Sequence, residues 1–100
     1  MLSTEDRLID VRSDVLADRQ VIQALNDDIE QDQAELADLQ TKIARDISNG
    51  DFKALAQDLK SEAQALRVIS LDLKRLSHAQ DDLQKDEDRL DRLNTELGKL

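Results

Sequence analysis

Asp46-Ile47-Ser48-Asn49-Gly50-Asp51 lies at the midpoint of a 100-residue chain and is the one place where its apolar spacing stops. On either side, leucine, isoleucine and valine recur at alternating three- and four-residue intervals, the pattern of a helix with one buried face. Asn49 or Gly50 can take the left-handed conformation that ends a helix, and Asp51 can cap the next helix through its carboxylate. A connection this short makes the flanking helices antiparallel neighbours. The sequence thus predicts an all-α fold: one helical-hairpin domain over 1–100, with a helix over about 4–48, a turn at 48–51 and a helix over about 52–97.

The composition agrees. There is no proline, cysteine, tryptophan or tyrosine, Phe52 is the only aromatic residue, and the two glycines are Gly50 and Gly98. A chain so free of breakers suits uninterrupted helix. The formal charge of -9 argues against nucleic-acid backbones and anionic membranes as direct partners, since both reward Lys and Arg. No apolar run approaches a membrane span or a signal-peptide core, so membrane insertion is not expected. The opening Met1-Leu2-Ser3-Thr4 reads as a native start, and the expected location is the cytoplasm, with export without a cleaved signal as the alternative. Asp outnumbers Glu although it is the poorer helix former, which fits a natural chain with solvated outer faces.

In the first helix, Ser3 or Thr4 can cap the start, with Glu5 and Asp6 favourably placed in the first turn. The seam runs Leu8, Val11, Val15, then Ile22, Leu25, Ile29, then Leu36, Leu39, Ile43. Asp18, Asp32 and Asp46 interrupt it at fourteen-residue intervals, on seam positions where an unpaired carboxylate is costly. Two readings stand: the carboxylates lean into solvent, or they control register by excluding wrong alignments. Pairing about the midpoint places residues whose numbers sum to roughly 99 opposite each other, which puts Asp46 near Lys53 and Asp32 near Arg67 and leaves Asp18 facing Asp81 and Asp82.

The second seam is read as Phe52, Leu55, Leu59, Leu66, Ile69, Leu73 and Leu76, followed by a slip of phase around 77–82 and a continuation through Ala79, Leu83, Leu90, Leu93, Leu97 and Leu100. A two-helix hairpin has a single seam, and small scaffolds of this kind need further burial. Leu2, Ile9 and Leu16 flank the seam of the first helix, and Val68 and Leu71 fall on the outer face of the second. With Leu93 and Leu100, these residues form the expected partner or oligomer interface, and the expected assembly is a homodimer forming a four-helix bundle. A second protein is the other partner such stripes can take.

The chain offers little for chemistry. With no cysteine and one histidine, His78, nucleophilic catalysis has no constellation to rest on. His78 and Asp82 share a helix face, but the Glu-x-x-His pairs of di-iron bundles are absent. The Asp-rich turn fails as a calcium loop, with Asp51 where glycine is needed and Gln57 in place of the closing glutamate. No glycine-rich phosphate loop is present. No catalytic residue, cofactor or metal site is expected.

The leading expectation is therefore a non-catalytic coiled-coil interaction module with an assembly, scaffold or adaptor role, phage-structural roles among them. In length and midpoint turn the chain also resembles the WXG100 family of hundred-residue helical hairpins, with Ser48-Asn49-Gly50 in the place of that family's Trp-x-Gly. That resemblance implies a small protein coupled to secretion. A third reading is an acidic inhibitor or nucleic-acid mimic whose carboxylates occupy a basic site on a partner. Interspersed cations such as Arg12, Arg45, Arg67 and Arg92 run against it.

Overall fold

The computed structural model describes residues 3–99. These form two helices in a hairpin, α1 over Thr4–Asn49 and α2 over Phe52–Gly98, with no strand among the described residues. Each boundary has a visible cause. The Ser3 hydroxyl accepts the Asp6 amide at 3.1 Å and caps α1. At the other end Gly50 takes φ +66°, its N–H donates to the Ile47 carbonyl at 3.2 Å, and the Asp51 N–H donates to the Asp46 carbonyl at 3.0 Å. This pair of bonds is a Schellman closure, which satisfies the last carbonyls of the helix. The Asp51 carboxylate then accepts the Ala54 amide at 3.1 Å and starts α2.

The chain divides into two compact units, one pairing Met1–Ala24 with Leu76–Leu100, the other comprising Leu25–Arg75. In the first, Leu8, Val11, Val15 and Leu93 form a buried cluster, with Leu83, Leu90 and Leu97 packed against it. In the second, Ile29 and Ile69 are the buried apolar residues, and Asp72 is buried with them.

The inward positions of α1 are those expected, from Leu8 through Ile43 with the aspartates between them. Those of α2 are so only in part. Leu55, Ile69 and Leu76 lie inward as expected, as do Ala79, Leu83, Leu90, Leu93 and Leu97, but before residue 77 the rest of the row is a different one. The row withdrawn from solvent runs Leu55, Asp58, Glu62, Ala65, Ile69 and Asp72, continuing as Leu76, Ala79, Leu83, Asp86, Leu90, Leu93 and Leu97, with Ala54 and Glu87 partly covered beside it. Spacing of three and four holds throughout, so α2 passes 77–82 as continuous helix with no slip of phase. Phe52, Leu59, Leu66 and Leu73, expected in the seam, are 75%, 46%, 49% and 49% exposed. Leu93, read both as a seam residue and as a partner contact, is a core residue at 9% exposure, so the seam reading holds and the partner contact does not. Leu2 and Leu100 lie outside the described residues.

At Gly50 nothing lies within 4 Å of where a Cβ would stand, so a substitution there meets backbone strain alone. Gly50→Ala is expected to destabilise the fold by about 1 kcal/mol in urea unfolding, and Gly50→Asn by less, because Asn tolerates the left-handed region. Equal losses for the two variants would place the constraint elsewhere.

Candidate interaction surface

Three aspartates of α1 meet three of α2. Asp18 faces Asp86, Asp32 faces Asp72, and Asp46 faces Asp58, each pair close enough that the α2 carboxyl raises the pKa of its α1 partner. The residue numbers in each pair sum to 104, and successive pairs are fourteen residues apart on both helices. The register is therefore offset by about five from the expected sum of 99. The short turn causes this: α2 begins only after the Asp51 cap, and its first inward residue is Leu55. Lys53 and Arg67 are exposed on the outer side of α2 and form no ion pair among the described residues, so they do not partner Asp46 and Asp32.

Two ionised carboxylates can only accept hydrogen bonds, so facing each other they have no donor. Asp18 Oδ2 and Asp46 Oδ2 are indeed buried without one. A proton on one member turns it into a donor and removes the repulsion. The Asp18 carboxyl is accordingly pushed up to about 6 by the Asp86 carboxyl it faces, by desolvation, and by the charges of Asp86, Asp82 and Asp14. Asp32 is raised by desolvation and by Asp72, with Glu35 and Asp28 adding to it. Asp46 is raised by Asp58, desolvation and Asp51, against a lowering from Arg45. On two rungs a guanidinium attends the α2 member: Arg75 lies 3.3 Å from Asp72, and Arg89 lies 3.2 Å from Asp86 and 4.0 Å from Asp14. Positive charge beside the α2 carboxylate leaves the α1 oxygen as the place for the proton.

The second feature is a flank of the Leu25–Arg75 unit. A groove of about 450 Å³ lined by Glu35, Ser61, Gln64 and Val68 marks one side of its seam. By heptad position, the other side carries Asn26, Gln33, Gln40 and Ile47 from α1 beside Phe52, Leu59, Leu66 and Leu73 from α2. None of these is charged, and Ile47 is 61% exposed. The next rows outward are Glu30, Ala37 and Ala44 on α1, and Ala56, Ala63 and Ser70 on α2, all exposed. On the outermost row of α2, facing away from the seam, stand Lys53, Lys60, Arg67 and Lys74 at seven-residue spacing, with Lys60 reaching to the groove on the opposite side.

Of the residues expected at an interface, Ile9, Leu16, Val68 and Leu71 are exposed, from 40% at Val68 to 63% at Ile9, but they do not share this flank. Ile9 and Leu16 belong to the other unit, Val68 lines the opposite groove, and Leu71 sits on the outer side of α2. His78 is exposed, and among the described residues no three His, Cys, Asp or Glu side chains are placed to hold a metal ion. No described helix is long and apolar enough to cross a membrane.

The rungs give a signed pH dependence. A carboxyl raised in the folded state contributes stability that is complete below its ordinary value of 3.8 and is lost as pH rises through about 6 at Asp18. The melting temperature is expected to climb as pH falls from 7 towards 4.5. Asp18→Asn, whose amide donates to Asp86 without titrating, is expected to melt higher at pH 7 and to flatten that climb. A wild-type melting temperature that falls steadily over the same range contradicts this reading of the rungs.

No family model matches the chain, and neither a curated protein nor a solved structure matches it.

Proposed function

We propose that this protein is a non-catalytic interaction module, with an assembly, scaffold or adaptor role, that self-associates through the uncharged flank of the Leu25–Arg75 unit. The observation that carries the reading is the row Phe52, Leu59, Leu66 and Leu73, joined by Ile47, all exposed. The chain is 37% charged, yet on this flank two adjacent helical rows hold no charge at all. Apolar surface gathered in this way lowers solubility and typically marks a contact site. The buried apolar set within the hairpin is small, with Ile29 and Ile69 alone in this unit, so further burial offers a clear gain in stability. Joining two hairpins by such flanks yields a four-helix bundle.

Light scattering behind a sizing column tests this over a range of concentrations. The native chain is expected at twice the monomer mass of 11.3 kDa. Leu59→Asp, which places a charge on the flank without touching the intramolecular seam, is expected to run as a monomer with its helical circular dichroism largely kept. A native chain that remains monomeric at every concentration refutes self-association.

A further inference from the structure

The flank is complementary to itself in one arrangement. We infer that two copies stack about a two-fold axis parallel to the helices, so that Leu59 and Leu66 of each α2 sit on Ala44 and Ala37 of the second copy's α1, and Ile47 sits on Ala56. The inference rests on the self-association reading above and specifies its geometry.

The register supplies the reason. In the Leu25–Arg75 unit, residues whose numbers sum to 104 stand at one level, as the Asp32–Asp72 and Asp46–Asp58 rungs show. Rotation about an axis parallel to the helices leaves every level unchanged. An α1 residue of the second copy therefore arrives beside the α2 residue that completes 104. Leu59 with Ala44, Leu66 with Ala37, and Ala56 with Ile47 each sum to 103, one residue or about 1.5 Å from a perfect match. At each of these levels a large side chain faces a small one, the alternation that lets facing helices interdigitate. The two-fold supplies every contact twice.

Charge rejects the competing stack. A two-fold perpendicular to the helices lays α2 on α2, which brings the outer cations Lys53, Arg67 and Lys74 beside their own images. In the parallel-axis stack those cations meet the outer edge of α1, where Asp27, Ala34, Thr41 and Ser48 hold no cation. Lys74 then stands level with Glu30 of the second copy, since these numbers also sum to 104. A helix from an unrelated protein has no reason to carry small residues at these levels, whereas a second copy carries them by construction.

A size swap decides the matter. Ala37 and Leu66 are exposed in the single hairpin, so Ala37→Leu and Leu66→Ala leave its own packing intact. Each variant alone is expected to weaken dimerisation about tenfold or more, the first by overfilling the contact and the second by emptying it. Mixed in equal amounts, the two are expected to form a heterodimer of native affinity. In that pair, one contact sets the leucine introduced at position 37 against the alanine introduced at position 66. The other contact is the unaltered Leu66 on Ala37. Weakened single variants whose mixture stays weak overturn the arrangement while self-association stands, and single variants of native affinity overturn it as well. A native chain that is monomeric by mass removes both readings together.

Discussion

The hairpin depends on carboxyl groups meeting carboxyl groups. Leucine seams tolerate sliding by a heptad, because one apolar layer resembles the next. An aspartate placed in the seam does not, since a one-heptad slide sets Asp18 and Asp32 against Ala79, Ala65 or Leu93, none of which can share a proton. Asp18, Asp32 and Asp46 face Asp86, Asp72 and Asp58 only in the register that the structure adopts. The same interaction makes the fold sensitive to proton concentration, because each rung is an attraction when one proton is present and a repulsion when none is. Within each unit, specific alignment is thus gained at the expense of stability at neutral pH.

That register has consequences on the outside of the molecule. Holding Asp58 and Asp72 inward turns Phe52, Leu59, Leu66 and Leu73 outward, on an adjacent face of α2. The inner seam of the Leu25–Arg75 unit then carries Glu62, Ala65 and two aspartates, while a richer apolar row is left in solvent. An exposed apolar row of this kind is the surface on which the proposed self-association rests. The small residues beside that row, Ala56 and Ala63 on α2 with Ala37 and Ala44 on α1, allow a second backbone to approach closely.

Much of this was legible in the residues. The turn followed from Asn49, Gly50 and Asp51, because their backbone preferences are local and strong. The seam of α1 followed from spacing, since that helix has one apolar row. In α2 the row Leu55, Ile69 and Leu76 is inward as its spacing indicates, but apolar content alone selects the wrong row beside it: Phe52, Leu59, Leu66 and Leu73 outweigh Asp58, Ala65 and Asp72, which are the residues turned inward. The apparent slip at 77–82 was a consequence of starting in the wrong row. A signal for the right row was present in the polar residues, for Asp58, Asp72 and Asp86 repeat the fourteen-residue interval of Asp18, Asp32 and Asp46. Pairing of like with like is counterintuitive, so complementary cations such as Lys53 and Arg67 drew the alignment away.

Carbon-13 NMR titration of the side-chain carboxyls, residue by residue, tests the central claim most directly. Asp18 is expected to titrate with a midpoint near 6, and Asp32 and Asp46 are also expected to titrate above the ordinary aspartate value of 3.8. Replacing Asp86 with alanine is expected to return Asp18 towards that ordinary value. Midpoints for all three that match those of the exposed aspartates would show that the carboxyls do not meet across the hairpin, and the register built on them would fail.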